Sequence, residues 1–394
     1  MNATPIVRVA FASDPFTDTP AWDDVSADGL ELHISRGRQH ELNRMECGTA
    51  TLKLANYSGQ YYPYNAGGTY YPDVLPGKRV NIRASYGGVT YDLYTGFAES
   101  WTPGWLDSAG QKPITRLDCA DLLKNLSRFD INSAGYASEA SGTRIANILD
   151  DLGWPDDVNH RDLATGQTTL IATGALANAN AKSHLDTVQQ TEGGIFFISG
   201  AGKATFHDRH TRLVDYVVSS AIFGDDSPEN KYKTLDLPYD DQYIYNAVYI
   251  TRAGGTQQSA TDATSQTAFG LRTLSRTNQL MTTDYEALSQ AQFLISRYKN
   301  PALRAKTLVI WPDTDPANLW PLVLGLDISD RITVRLNQAS IDEDYHIEGI
   351  THDYSASTGV WETRWQLSNA DNAAYWALGI AGLGELGETT RLCY

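Results

Sequence analysis

A chain of 394 residues that is 42% hydrophobic and 20% charged has enough apolar side chains for a folded core and too few charges for a disordered one. Its formal net charge of −16 argues against the basic stripe that nucleic-acid binding needs, and no run approaches the roughly 20 apolar residues of a membrane-spanning helix. Cys47, Cys119 and Cys393 are too scattered for a disulfide framework or a metal cluster, and Met1-Asn2-Ala3-Thr4-Pro5 opens no leader peptide, so reduced thiols and assembly in a cytoplasm are expected.

In chain order, residues 1–119 read as a first β-domain. Leu30 to Ile34 and Ala50 to Leu54 alternate apolar and polar with period two, and Arg79 to Ala84, Val89 to Phe97 and Ile114 to Cys119 supply further strands. Gly87-Gly88 predicts a tight hairpin turn. Residues 120–193 change period and predict a helical or mixed insertion. Its helices start near Ala120, at Ser141 or Thr143 as N-cap with Gly153 as the stop, and at Asn178, with Leu185 and Val188 in the core. β-structure returns over 194–240, with a hairpin about Gly200-Ala201-Gly202. Residues 241–370 predict a second β-domain: a strand over Tyr243–Thr251, one long helix over Asp284–Tyr298 ended by Pro301, and strands over 307–311, 331–336, 344–350 and 361–367. The second β-region roughly echoes the first, with no repeat at the level of sequence identity. Residues 371–394 are small, apolar and Gly-rich, an extended tail that needs a partner to cover it.

Catalytic chemistry finds no anchor. His207-Asp208-Arg209-His210 lacks the helical register that sets two imidazoles on one metal. Asp225-Asp226 and Asp240-Asp241 are adjacent, and neighbours on a strand point to opposite faces. No phosphate-cradling glycine spacing and no nucleophile elbow is present. The expectation is a non-enzyme with no catalytic, metal or cofactor-binding residues. The 22 tyrosines suit sheets and subunit interfaces. Tyr57, Tyr61, Tyr62, Tyr64, Tyr70 and Tyr71 crowd one loop, which is expected to fill an interface or pack the loop itself, ahead of stacking on sugars. Interface anchors are expected at Tyr61, Tyr62 and Tyr71 and, in the tail, at Trp376, Leu378, Leu392 and Tyr394.

Ser35-Arg36-Gly37-Arg38, Cys47 to Asn56, Gly59 to Asn65 and Leu75-Pro76-Gly77-Lys78-Arg79-Val80 with Tyr94-Thr95-Gly96-Phe97 resemble the opening of tail-hub minor tail proteins of long-tailed bacteriophages. Ile148 to Pro155, Thr191-Glu192-Gly193-Gly194 with Phe206 to Arg209, Tyr375 to Gly379 and Thr389 to Tyr394 follow the same order. The resemblance implies a mainly β fold with an α+β insertion: two β-barrel domains similar to the tail-tube protein, a helical or mixed insertion and an extended C-terminal tail. It implies a homotrimer like the baseplate hub of contractile tails, a pseudo-sixfold ring at the tail tip of the virion. The implied partners are the distal tail protein, the tape measure protein and tip or fibre proteins. Genomic DNA would pass through the lumen without specific binding, past a wall that the net charge could make acidic, and no fused lytic domain would follow Tyr394. The alternative is a glycan-binding tail or cell-wall attachment module.

Overall fold

The structure is a computed structural model that describes residues 2–106, 112–212 and 218–370, and the backbone alone of 375–376 and 391–392. The first block holds β1 (Thr4–Val9), β2 (Asp23–Asp24), β3 (Gly29–Gly37), β4 (Glu46–Ala55), β5 (Arg79–Tyr86), β6 (Val89–Trp105) and β7 (Pro113–Ala120). The predicted alternation is realised. Leu32, Ile34, Leu52, Leu54, Ile82, Leu117 and Cys119 are buried, while Glu31, His33, Thr51, Lys53, Arg116 and Asp118 take the opposite face. Gly87 and Gly88 close the β5–β6 hairpin at φ +57° and +83°, a turn that glycine enters without steric cost.

The insertion follows as α1 (Leu122–Arg128), β8 (Asp130–Ser133), β9 (Glu139–Ala140), α2 (Ser141–Leu152), β10 (Arg161–Leu163), β11 (Thr169–Leu170), β12 (Leu176–Asn180), α3 (Ala181–Glu192), β13 (Ile195–Ile198) and β14 (Ala204–His207). Asp121 caps α1 by accepting from the Leu123 amide. Gly153 ends α2 in the left-handed region, as predicted. Neither proposed N-cap of α2 does that work: Ser141 is already helical, and its hydroxyl donates to buried Glu192 at 2.8 Å. Leu185 and Val188 are buried on α3 as expected.

After the insertion come β15 (Ile222–Gly224), β16 (Thr234–Asp236), β17 (Ala247–Arg252), β18 (Gln258–Thr261), α4 (Ala263–Phe269), β19 (Thr273–Gln279), α5 (Asp284–Tyr298), β20 (Thr307–Ile310), α6 (Pro316–Gly325), β21 (Arg331–Leu336), β22 (Ile341–Ser355) and β23 (Val360–Asn369). β17 lies between β18 and β19, and this small sheet packs with α5 around its own core of Val248, Ile250, Ala291 and Leu294. The strand expected from Tyr243 begins only at Ala247, because Tyr243 stacks on His40 at 3.6 Å and Tyr245 meets Tyr298 edge-on. The α5 start is a capping box in which Thr283 and Glu286 satisfy each other's amides. Thr283→Ala is expected to cost about 1 kcal/mol, read from the denaturant midpoint, and an unchanged midpoint would contradict this role. α6 was not legible, since Pro316 and Pro321 mask a short helix that buries Leu319, Trp320, Val323 and Leu324. No helix among the described residues is long and apolar enough to cross a membrane.

The two blocks share one 13-stranded sheet ordered β16-β20-β23-β22-β3-β4-β7-β6-β5-β1-β2, with β21 on β22 and β15 on β21. The fold is therefore mainly β with helical insertions, as expected. The two closed barrels are not found among the described residues: the pairing runs as one open path. The reason is that β22 spends its outer edge on β3 of the first block instead of returning to its own block. β24 (Tyr375–Trp376) and β25 (Arg391–Leu392) pair in parallel, with Trp376 opposite Leu392.

Candidate assembly surface

The strand order of the first block, β3-β4-β7-β6-β5, recurs in the second as β16-β20-β23-β22-β21. Register carries the likeness down to single residues. Arg79-Val80-Asn81-Ile82-Arg83 of β5 matches Arg331-Ile332-Thr333-Val334-Arg335 of β21. Arg83 faces Asp92 and pairs with it at 2.9 Å, and Arg335 faces Asp342 and pairs with it at 2.9 Å. β6 carries a bulge whose extra residue is Glu99, and β22 a bulge whose extra residue is Glu348. Beyond the bulges Thr102 faces Arg116 and Thr351 faces Arg364, each inside a Thr-Arg pair, Thr115-Arg116 and Thr363-Arg364. Thr51 of β4 then corresponds to Thr307 of β20, and Leu32 and His33 of β3 to Leu235 and Asp236 of β16.

The blocks join through β22 and β3, antiparallel from Gly349 opposite Gly37 to Ser355 opposite Glu31. At the bulge Glu348 is fully buried. It is gripped by Arg38, from the chain leaving β3, at 2.7 Å and by Arg212 at 2.5 Å. Burial alone would raise the Glu348 carboxyl, but the Arg212 and Arg38 guanidinia outweigh it and hold the group well below the usual carboxylate range. The Arg38 amide also donates to the Glu348 carbonyl at 2.8 Å. Gly37, at φ +99°, lets the two backbones meet: a Cβ there would lie 2.2 Å from the Glu348 carbonyl oxygen. In the first block the counterpart Glu99 pairs, among the described residues, with Lys124 of α1 alone. It borders a cleft of about 1140 Å³ lined in part by Phe16, Pro76, Phe97, Asn125 and Phe129.

The outward face of the continuous sheet is polar, and its charges are matched. Lys53 meets Glu31 at 2.9 Å, Arg116 meets Asp118 at 2.8 Å, His33 meets Asp353 at 2.6 Å, and Glu362 receives Lys233 at 2.8 Å and Arg364 at 3.1 Å. Thr49, Thr51, Thr102, Thr307 and Thr351 lie between these pairs. Glu31, Asp118 and Glu362 are each answered by a lysine or arginine, so much of the acidic charge on this face is compensated locally.

Of the expected interface residues, Tyr61 is fully buried and donates to Asp28 at 2.6 Å. Its ring stacks with Tyr70 and Trp101, and Tyr70 stacks on Phe11 at 4.0 Å, so the centre of the tyrosine loop packs into its own chain. Tyr62 is half-buried near Trp105, and Tyr71 is 48% exposed. Trp376 and Leu392 are described by backbone alone, and Leu378 and Tyr394 lie outside the described residues. His207 ends β14 and meets Phe197 edge-on, and Asp208 accepts from Gln167 and the Thr211 amide at the start of the helical residues Arg209 and His210. Asp225 accepts from the Asn337 amide and Asp241 pairs with Arg272. Among the described residues no three His, Cys, Asp or Glu side chains gather as metal ligands. Sequence reasoning missed the edge of β6. The signal available was the pair of Glu-x-x-Thr and Thr-Arg motifs.

No family model and no curated protein matches the chain. Solved structures do. The tail protein from Neisseria meningitidis MC58 is 14% identical, with 94% of this chain and 97% of that one covered at a TM-score of 0.61. The 43 kDa tail protein of prophage MuSo2 from Shewanella oneidensis is 14% identical, with 93% and 98% covered at 0.58. The E. coli c3393 protein, a type VI secretion component with structural similarity to the T4 bacteriophage tail proteins gp27 and gp5, is 9% identical, with 88% and 74% covered at 0.51. The chain thus has the fold of bacteriophage tail proteins. The resemblance read from the sequence pointed to the same class.

Proposed function

We propose that the chain is a structural tail-hub protein, a homotrimer whose ring closes the distal end of a phage tail tube. The ring joins the tube to the tip or fibre proteins and lets DNA pass. The observation that supports this reading most is the repeat: one chain supplies two units of the same strand order, side by side in one sheet, so a small cyclic oligomer presents a ring of like units. A sheet face of threonines and matched ion pairs suits the wall of such a ring, because it offers no basic stripe to hold phosphates. α6 adds to the case. It connects β20 to β21 and packs on β5 and β6 of the other block, bringing Trp320 against Tyr86 at 5.9 Å. The tyrosine loop is the same connection in the first block, between β4 and β5, so its exposed ring Tyr71, with Tyr62, is placed to pack on a neighbouring copy.

On this reading the distal tail protein and the tape measure protein lie on the tube side, the protein is a virion component at the tail tip, and its work is mechanical and non-enzymatic. Images of the purified chain at high concentration, and of tails carrying a labelled copy, are expected to show a closed ring with an axial hole at the tip. A chain found only as a monomer, and absent from the particle, would end this reading.

A further inference from the structure

We propose that the outer edge of β6, residues 100–106, receives β16 of a second copy of this chain, antiparallel, in the register that β22 and β3 already use within one chain. The proposal rests on the ring reading above and adds the surface and the register. β5 leaves β6 at Phe97, and β7 covers only one edge of the strand beyond it. Among the described residues no backbone hydrogen bond reaches the other edge of residues 100–105. Among the described residues β16 likewise has one neighbour, β20. Two unpaired strand edges in one chain are templates for pairing.

The repeat says which template each edge fits. The counterpart of β6 beyond its bulge is β22 beyond its bulge, and that segment is covered by β3. The counterpart of β3 is β16. Carrying the observed register across sets Leu235 opposite Trp105, Asp236 opposite Gly104 and Leu237 opposite Pro103, as Leu32, His33 and Ile34 stand opposite Tyr354, Asp353 and His352. The exposed apolar groups fall where this pairing covers them: Trp105 is 57% exposed, Leu106 52% and Tyr239 68%. Tyr239 occupies the position of Arg36 and continues toward the cleft beside Glu99, the bulge that, among the described residues, no segment closes as Arg38 closes the one at Glu348. Pro103 and Pro238 fall in adjacent pairs. Only alternate pairs exchange ladder bonds, so the two prolines together remove one bond from the join.

The test is a cysteine pair across the join in a Cys393→Ser background. Asp236→Cys and Gly104→Cys are directly opposed on the polar face, and a Cβ at Gly104 meets nothing closer than 3.4 Å, so folding is preserved. Opposed strand residues have Cα atoms about 4.5–5.5 Å apart, within disulfide reach. Mild oxidation is expected to give covalent dimers and trimers with nothing larger. His33→Cys with Asp353→Cys, the same pair inside one chain, is expected to lose its two introduced thiols to the oxidant without any covalent dimer or trimer forming. Asp236→Cys with Thr102→Cys, two residues out of register, is expected to stay uncoupled. Rings that assemble while only the intrachain pair couples would overturn this edge and leave the ring standing. Coupling of the shifted pair in place of the opposed one would overturn the register. A chain that stays monomeric and uncoupled at every concentration would overturn the ring as well.

Discussion

Glu348→Gln is expected to destabilise the protein by about 3–5 kcal/mol, because it leaves two buried guanidinium groups facing a neutral amide. The substitution is isosteric, so a cavity does not explain the loss. Arg38, Arg212 and Glu348 are each nearly or fully removed from water, and they tie together β22, the exit of β3 and the chain after β14. The sign of the pH dependence follows from the folded-state carboxyl lying below its unfolded value. The contribution is complete at neutral pH, and it is lost as pH falls below the ordinary carboxylate range of about 4 toward the depressed folded value. Denaturation midpoints of wild type and variant are therefore expected to differ most near neutrality and to converge in acid. A loss under about 1 kcal/mol, in the range of an exposed pair, would show that the triad does not hold the blocks together.

Gly37→Ala is expected to cost roughly 3 kcal/mol or more, since a backbone conformation that L-residues avoid combines with a clash against main chain. The added Cβ meets the Glu348 carbonyl oxygen at 2.2 Å and the Gly349 Cα at 2.5 Å, and neither is the tip of a flexible side chain. The strand pair must separate at its bulge end, which loosens the grip of Arg38 on Glu348. Thermal unfolding measures the loss, and Gly88→Ala is the control. Its φ of +83° is strained as well, but nothing lies within 4 Å of the added Cβ. Equal losses at the two positions would assign the effect to φ alone and remove the close approach from the argument.

The main strands of both blocks were legible because period-two alternation records which face of a strand is wet. Leu30 to Ile34 and Trp361 to Leu367 announce themselves in that way. Lengths were less legible. β6 runs past Phe97 to Trp105, and β22 spans Ile341 to Ser355, because a bulge at Glu99 or Glu348 shifts the alternation by one residue and reads as the end of a strand. The same bulges hid the repeat. Its matched positions, two arginines, a bulge glutamate and a Thr-Arg pair, are spaced differently in the two blocks, because the hairpins on both sides of the bulged strand differ in length. Tyr61 was ambiguous for another reason. A tyrosine in a Gly- and Pro-rich loop looks exposed, but nothing in the loop's sequence says that Trp101 and Phe11 wait beneath it.

By itself the sequence determined the main strands, the helices of the insertion, the long helix α5 and the tail-protein resemblance. These depend on residue order and on neighbours within a few positions. Only the tertiary structure decided that the blocks form one open sheet, that Glu348 is sealed while Glu99 lines a cleft, and that among the described residues one strand edge in each block is left unpaired. Those outcomes depend on which distant strand reaches an unpaired edge first, and a backbone edge offers the same N–H and C=O groups whatever side chains it carries.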